Sequence, residues 1–499
     1  MKKSNTIKLA VIAATCLVGA TSAHALKTDK RDMKNNMSIN YKVTPKAVDS
    51  VSEMFSEGVL YGRLRSNMFH WDWANDRPGK TADNSSWGVG GSLIYSTGYL
   101  NGFGATAGMY TTHTIETDNM TTSGGVTFDA GKAGKDTYSR ATGSGSHIDV
   151  LALAYLEYKI AKSSVKVGRQ IFESTLLRSN DTKMIPNTFE GLSIESKDVS
   201  DTKLRAAYFT RQKLRDHRDF HSVIAVDGFN ENDDAGKHKG MSVTNILAAG
   251  EDVEPNMLVA TVENKSIKGL KLNLDGMYID GFVSSAIAEV NYKINLGESG
   301  WSLTPGARYI HQMDEGGGAI GGAALNGSLA GTTGSANGYD DAGSVDGGAW
   351  MARLKLAKGA GSITAGYSAI NDDADIIAPW RGFPTGGYTR SMAQYNWEAN
   401  TKSWMLKAGY DFGKAGMVEG LRGALDYAEM DYDDEKLAAG GLSKTDRNIV
   451  HLDVFKTFKS APNLELKLRA AMINADTTAG QAADYNSYNE YRFEVNYLF

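Results

Sequence analysis

Cysteine is almost absent from this 499-residue sequence, and the single cysteine, Cys16, lies near the amino terminus. It falls within a stretch typical of a secretory signal, in which lysines precede a short apolar run and Ala23-His24-Ala25 forms a small-x-small cleavage site. We predict cleavage after Ala25, so that residues 1–25 are a removed signal peptide. The mature chain then has no cysteine, which excludes a disulfide, a thiolate nucleophile and a cysteine metal site.

Long apolar runs and catalytic motifs are also missing. After the signal, no apolar run approaches the roughly 20 residues that a membrane-spanning helix needs. The sequence contains no Gly-x-Ser-x-Gly elbow, no His-Glu-x-x-His zinc pair and no phosphate-binding glycine loop with its lysine. Serine and histidine are present, so composition alone leaves a catalytic triad open, but no motif supports one. We predict no catalytic residue, no metal and no cofactor.

Positive charge is in slight deficit. Lysine and arginine number 53 against 58 aspartates and glutamates, which gives a formal net charge of −5. Because residues 1–25 hold Lys2, Lys3 and Lys8 but no acid, the mature chain carries −8. This acidic balance argues against a general nucleic-acid binder. No change of composition marks an interdomain linker, so we predict a lead-in over residues 26–56 and one folded body over residues 57–499.

Alternation of apolar and polar residues is the main pattern present, and it is clearest in the last nine residues. Side chains alternate between the two faces of a strand, so one face of this segment suits lipid and the other suits water. A soluble sheet shows the same alternation, but together with the secretory signal it is typical of the closing strand of an outer-membrane β-barrel. We expect the barrel-assembly machinery to bind this strand, which ends at Phe499. The apolar face consists of Tyr491, Phe493, Val495, Tyr497 and Phe499, and the polar face of Arg492, Glu494 and Asn496.

The same alternation recurs from residue 57 to the end, in about eighteen segments joined by connections that are alternately short and long. This arrangement is typical of an antiparallel barrel with tight periplasmic turns and long outer loops. We therefore predict an all-β fold, a transmembrane antiparallel β-barrel of about 18 strands, surrounded by outer-membrane lipid and lipopolysaccharide as a monomer or trimer. One connection, residues 280–282, is short where an outer loop is expected. The predicted strands are 58–71, 86–98, 102–112, 147–160, 163–172, 188–197, 202–213, 256–264, 268–279, 283–296, 301–311, 349–358, 362–370, 402–413, 420–430, 447–458, 464–474 and 487–499.

The lead-in contains a candidate helix on the periplasmic side. Thr44 is a good N-cap and Pro45 a good first helical residue. Val48, Val51 and Phe55 then share one helical face. The sequence does not say whether this helix docks under the barrel or only leads into it.

Several predicted strands carry arginine opposite their apolar face. A charge facing lipid near the bilayer midplane costs about 2–4 kcal/mol, so these side chains should face the lumen. They either pair with inward acids such as Asp453, Glu465 and Glu494, or form a ladder of weak sites that passes an anionic solute along the wall. The pore-lining candidates on the strands are Arg63, Arg65, Arg205, Arg211, Arg308, Arg353 and Arg469.

Three stretches resemble the OprD-type, substrate-selective outer-membrane porins. Val167-Gly168-Arg169-Gln170, followed by Asn180-Asp181-Thr182-Lys183-Met184-Ile185-Pro186-Asn187-Thr188-Phe189-Glu190-Gly191, is similar to the family's strand, inward loop and returning strand. Residues 87–108 resemble its early hairpin, and residues 62–71 resemble its first strand.

The resemblance implies that residues 173–187 fold into the lumen and narrow it. Small carboxylate-bearing solutes would then diffuse passively past the loop and an arginine ladder. The candidates for this eyelet are the cations Arg169, Arg178 and Lys183 and the acids Glu173 and Asp181. Two departures concern the eyelet: Glu173-Ser174-Thr175 stands where the family often has prolines, and Lys183 where it usually has arginine. A non-selective general porin is the alternative, followed by a barrel enzyme or an adhesin that uses its glycine-rich loop at 316–347.

Overall fold

The computed structural model describes residues 31–33, 39–41, 43–75, 83–118, 122–123, 126–127, 147–179, 181–215, 217–224, 240–324, 326–377, 386–392, 394–439, 444–478 and 483–499. The predicted signal peptide lies outside the described residues. Over the described ranges, no helix is both long and apolar enough to cross a membrane.

Within this part of the chain, eighteen long strands pair in sequence order and close into one antiparallel barrel. Each predicted strand overlaps one of them, so the predicted fold class is confirmed. The strands are β1 (Val59–Trp73), β2 (Asn84–Ser96), β3 (Phe103–Asp118), β4 (His147–Ile160), β5 (Ser163–Gln170), β6 (Thr188–Ser196), β7 (Thr202–Lys213), β8 (Met257–Asn264), β9 (Leu270–Ile279), β10 (Val283–Tyr292), β11 (Trp301–Asp314), β12 (Gly347–Lys358), β13 (Gly361–Ile370), β14 (Lys402–Asp411), β15 (Leu421–Asp431), β16 (Arg447–Thr457), β17 (Leu464–Ala475) and β18 (Tyr488–Leu498).

The first and last strands close the barrel. β18 pairs antiparallel with β1 from Tyr488 opposite Trp73 to Leu498 opposite Arg63. Phe499 continues the ladder: its N–H donates to the Gly62 carbonyl at 3.1 Å, and the Gly62 N–H donates back at 3.0 Å. The carboxyl-terminal segment is therefore an integral part of the wall.

The largest boundary difference lies in β3, which extends to Asp118 instead of ending at residue 112. Residues 111–114 are all polar, so the alternation that marks a strand is lost in the sequence there. A bulge also shifts the register opposite Trp87 and Gly88 of β2. Because of both features, the loop-end part of β3 does not show the alternation of apolar and polar residues from which strands were predicted.

The lead-in helix is present, but its start differs from the prediction. Helix α1 spans Val51–Ser56 and its N-cap is Ser50, whose hydroxyl accepts from the Glu53 N–H at 3.2 Å. The Glu53 carboxylate in turn accepts at 3.0 Å from the N–H of Asp49, the residue before the N-cap, so the Ser50 and Glu53 side chains each accept one backbone N–H at the helix start. The assignment of Thr44 and Pro45 as the helix start was wrong, because the N-cap is Ser50, six residues after Thr44.

The two ends of the barrel differ. At the turn end, which carries α1, the connections are short and include a 3₁₀ turn at Gly297–Ser299. At the loop end, long connections carry helices and fold over and into the barrel. These helices are α2 (Val243–Ala249), α3 (Gly317–Gly321), α4 (Gly386–Thr389) and α5 (Asp434–Ala439).

The short connection at 280–282 is covered by its neighbour. The Phe282 carbonyl accepts from the Glu315 and Gly317 N–H groups at 3.1 and 2.8 Å. The connection after β11 therefore lies over the β9–β10 turn. Because this neighbour covers the turn, a short connection is sufficient there.

The packed core lies inside the loop-end half of the barrel. One hydrophobic cluster joins inward wall residues such as Phe209 and Ile279 to loop residues such as Leu176 and Trp397. The outer face carries the complementary pattern of exposed apolar side chains, including Leu64, Leu93, Met109, Leu156, Leu258, Leu354, Leu406 and Leu468. An apolar outer band is what a wall in contact with lipid requires.

Candidate functional site

The connection between β5 and β6, residues 171–187 and called here the constriction loop, crosses the interior of the barrel. On one side the Thr175 N–H donates to the Asp275 carboxylate of β9 at 2.7 Å. At its tip, Asp181 reaches the wall at Arg63 of β1. β1 and β9 lie on opposite sides of the eighteen-strand barrel, so the loop spans the lumen.

Buried cations fasten the tip of the loop to β1. Arg63 forms an ion pair with the Asp181 carboxylate, and Arg65 donates to the Asp181 backbone carbonyl at 2.5 Å. The Asn67 amide donates to the Thr182 carbonyl at 2.8 Å. Since all of these wall side chains are buried, they hold the loop and present little surface to a passing solute.

Acids neutralise several of the predicted lumen cations. Arg65 also donates to Glu494 of β18 at 3.0 Å. On the neighbouring strands Arg469 donates to both oxygens of Asp453, at 2.6 and 3.2 Å. For these cations the structure shows the first of the two interpretations given by the sequence, in which the lumen cations pair with inward acids.

A second arrangement on β10–β12 leaves cations less fully neutralised. Arg308 forms two hydrogen bonds to one oxygen of Glu289, at 2.7 and 2.5 Å. Arg353 donates to the Asn291 amide oxygen at 3.1 and 2.5 Å and approaches Glu289 only at 4.0 Å. Both guanidinium groups lie over the ring of Tyr388, at 5.0 and 4.5 Å from its centroid.

Arg178 of the constriction loop adds a third guanidinium group beside Arg308 and Arg353. The charges that act on it belong to Glu173, Arg308, Asp275 and Glu289, which places it against β9–β11. In the described part of the chain no acid or hydrogen-bond acceptor pairs with its guanidinium. We call Arg178, Arg308, Arg353, Glu289 and Tyr388 the arginine pocket.

Below the loop, Arg205 of β7 also lacks an acidic partner among the described residues. It donates to the Thr261 hydroxyl at 3.0 Å and to the Glu173 backbone carbonyl. It borders a cavity of about 360 Å³ on the lumen face of β4–β7, together with Lys166 and other residues. Its lining runs from the constriction loop, at Ile171 and Glu173, to the turn-end connection at Ala161 and Lys162.

A second inward segment, residues 386–392 and 394–397 after β13, meets the constriction loop. The Ser391 hydroxyl donates to Asp426 of β15 at 2.5 Å, and Gln394 donates to the Tyr488 hydroxyl at 2.6 Å. Met392 belongs to the same hydrophobic cluster as Met184 of the constriction loop. The sequence prediction treated this connection as an outer loop, although its buried Tyr388 and Trp397 are unusual for an exposed one.

A buried network supports this second segment. His451 of β16 lies between two carboxylates, with Asp426 at 3.1 Å and Asp453 at 3.2 Å. Lys407 pairs with Asp426 at 3.2 Å. The wall of β14–β17 therefore carries a chain of hydrogen-bonded acidic and basic side chains, which hold one another in place.

Two predicted site residues lie on the outer face of the wall, so their assignment to the lumen is corrected. Arg169 pairs with Glu190 at 3.2 Å, both about one-third exposed, while its neighbour Gln170 faces inward and is buried. Arg211 is opposite Glu190 in the ladder, and a bulge at that point shifts the alternation of β7. The remaining eyelet candidate, Lys183, is buried at the loop tip.

No metal site is evident over the described ranges: no group of three or more histidine, cysteine or acidic side chains there is arranged to hold a metal ion.

Comparison with known proteins gives a family match and structural neighbours. The family model described as outer membrane porin, OprD family, matches residues 55–499. No curated relative matches the chain by sequence. Among solved structures from Pseudomonas aeruginosa, OccK9 (OpdG) has 19% identity and a TM-score of 0.66, covering 89% of this chain and 99% of its own. OccK8 (OprE) has 16% identity and a TM-score of 0.65, and OpdK with vanillate has 15% and 0.63, each with the same coverage.

These structural likenesses concern the barrel fold, while the family match covers most of the chain. A barrel of this kind lies in the bacterial outer membrane, with its short turns toward the periplasm and its long loops outside. The chain belongs to the OprD family of outer-membrane porins.

Proposed function

We propose that this porin lets small carboxylate-bearing solutes diffuse passively into the periplasm, and that the arginine pocket selects them. The observation that carries the proposal is the position of this pocket, where the constriction loop narrows the lumen. Arg178, Arg308 and Arg353 lie together there, and Glu289 hydrogen-bonds to Arg308 while it approaches Arg353 only at 4.0 Å. Arg178 and Arg353 are therefore the groups that can attract an anion where the constriction loop crosses the lumen.

The chemistry of the pocket suits a carboxylate that must pass and not remain bound. A guanidinium group binds a carboxylate through two parallel hydrogen bonds and stays charged at any working pH. Because Glu289 and Asn291 already occupy part of Arg308 and Arg353, each contact with a solute is weak. Passage requires several such weak sites in series, and Arg205 below the loop supplies the next.

Tyr388 is buried beneath these cations, so the planar guanidinium of Arg353, about one-third exposed, is the surface that a solute ring can meet. One structural neighbour, OpdK, was crystallised with vanillate, which is an aromatic carboxylate. An aromatic ring in the solute would stack on this guanidinium while its carboxylate met Arg178. We therefore expect aromatic carboxylates among the solutes that enter this pocket.

The proposal is tested by single-channel conductance of the purified protein in a planar bilayer with a salt gradient. Benzoate is then titrated, with benzyl alcohol as the neutral ring. We expect an anion-selective reversal potential and concentration-dependent block by benzoate alone. The double variant R178Q/R353Q should lose both properties, whereas R169Q, which removes an arginine from the outer face, should keep them. Large steps that benzoate does not block would instead indicate a general porin.

The enzyme and adhesin alternatives receive less support from the same residues. The Ser391 hydroxyl donates to Asp426 and not to His451, so these side chains are not arranged as a nucleophile and its base. The glycine-rich loop after β11 is packed: Leu329 and Tyr339 belong to a hydrophobic cluster with Ala374 of the next loop. A packed loop end and arginines at the constriction loop fit a channel better than an adhesin that binds partners through an extended loop.

A further inference from the structure

Helix α1 lies at the outer rim of the turn end, beside the lipid-facing wall. The Tyr95 hydroxyl donates to the carbonyl of Phe55, in the last turn of the helix, at 2.5 Å. Tyr95 is paired across the ladder with Leu60, which is 54% exposed on the outer face. The carboxyl end of α1 is therefore fixed to the lipid side of β1 and β2, and not beneath the lumen.

The chain between α1 and β1 is shaped for this position. A Cβ atom on Gly58 would lie 2.3 Å from the Tyr95 hydroxyl oxygen, so a larger residue would displace the tyrosine. The Gly98 N–H also donates to the Met54 carbonyl at 2.8 Å. These contacts hold the short helix against the rim from two sides.

The two faces of α1 differ in polarity. At the helical period of about 3.6 residues, Val51, Met54 and Phe55 fall on one side and the polar residues on the other. Met54 is partly buried toward the barrel. Val51 and Phe55 are 61% and 62% exposed, which is unusual for two apolar side chains on one stripe.

The neighbouring strands show what surrounds this stripe. On β3 and β4, Phe103 and Tyr158 form a ring pair with centroids 4.5 Å apart at the same end of the barrel. Barrels of this type carry such aromatic girdles where the apolar band meets the headgroups. α1 occupies the equivalent rim position on β1 and β2, so its apolar stripe is continuous with the lipid-facing surface.

We propose that α1 is a membrane-interface anchor, in which Val51 and Phe55 insert into the periplasmic leaflet of the outer membrane. The lead-in would then fix the first strand of the barrel to the bilayer surface and leave the lumen exit open. The proposed partner is the lipid surface itself. It does not depend on which solute the porin passes.

The test uses full-length protein in liposomes with one cysteine introduced at a time and a nitroxide label attached. Collision rates with oxygen, which concentrates in lipid, and with a water-soluble nickel complex are measured for Phe55→Cys, Val51→Cys and Ser52→Cys. Leu93→Cys on the outer wall serves as the lipid reference, and Lys268→Cys in a turn-end connection serves as the water reference. The usual change in gel mobility on heating verifies that each variant has folded.

We expect the ratio of oxygen to nickel collisions at positions 51 and 55 to match position 93. The ratio at position 52 should match position 268, several-fold lower. Equal nickel access at positions 52 and 55 would overturn the proposal. Low collision rates with both reagents at positions 51 and 55 would also overturn it, because they would show that protein covers the stripe. If either Phe55→Cys or Val51→Cys does not fold, the other gives the answer.

Discussion

The arginines of this lumen have two different uses, and the partner of each guanidinium group decides which. Arg63 and Arg65 are buried against Asp181 and Glu494, so their charge holds the constriction loop. Arg178 and Arg205 have no acidic partner in the described part of the chain. The same residue type thus builds the constriction at one wall and offers a binding surface at another.

Replacing Asp181 with asparagine should release the loop tip. Removing one member of a buried ion pair leaves the other charge uncompensated, at a cost of about 3–5 kcal/mol. Because this ion pair joins the loop to the wall and does not join the strands to each other, we expect the loop to undock while the barrel stays closed. D181N should therefore show larger single-channel steps and weaker block by benzoate. E190Q, which removes an acid from the outer face, is the control; equal conductance in both variants would contradict the anchoring role.

Glu289 sets the charge of the arginine pocket, so its removal should act in the opposite direction to loss of an arginine. E289Q removes the negative charge that offsets Arg308, although the glutamine oxygen can still accept a hydrogen bond from the guanidinium. We expect a stronger anion preference and tighter block by benzoate in E289Q, and a weaker preference in R308Q. Reversal potentials under one salt gradient compare the two variants directly. A shift of both in the same direction would show that the pair acts only in packing.

At the scale of whole elements, two inward segments narrow the lumen, and each is held by polar contacts to the wall. Asn396 ties the second segment by donating to the hydroxyls of Ser368, Thr389 and Ser403, at 3.0, 3.2 and 2.7 Å. N396A should loosen this segment, because the three hydroxyls lose a common donor in a buried place. We expect flickering or larger conductance steps in bilayer recordings. The exposed Asn295 at the turn end offers a matched change, N295A, which should leave the recordings unchanged.

The closing strand depends on its last residue. Phe499 pairs with Gly62 through both backbone groups, and a Cβ atom on Gly62 would lie 2.6 Å from the Phe499 ring. Deleting Phe499 should lower the amount of folded barrel in the outer membrane, while export to the periplasm continues. The heat-dependent gel shift measures the folded fraction, and a normal yield would argue against a role of this residue in assembly.

The strands could be predicted because a wall between lipid and water imposes period two on every strand. The predicted direction of the side chain was wrong at particular residues. Arg169 shares its face with Val165 and Val167, so its outward position was readable, but the family resemblance suggested an eyelet role. Arg211 follows a bulge that one strand alone does not reveal. The second inward segment was missed because loop folding depends on contacts between distant residues, such as Ser391 with Asp426.

The whole molecule combines an acidic sequence with a cationic constriction. The full chain has a formal net charge of −5, whereas we propose that the arginine pocket and Arg205 attract anions at the constriction loop. Selectivity should follow this local charge, because screening limits the reach of distant charges to about 10 Å at 0.1 M salt and about 3 Å at 1 M. We therefore expect anion selectivity at low salt that falls toward zero at 1 M. R178Q/R353Q should show little selectivity at either concentration. Cation selectivity in the unmodified protein at 0.1 M would mean that the acids of the outer loops, and not the constriction, control entry.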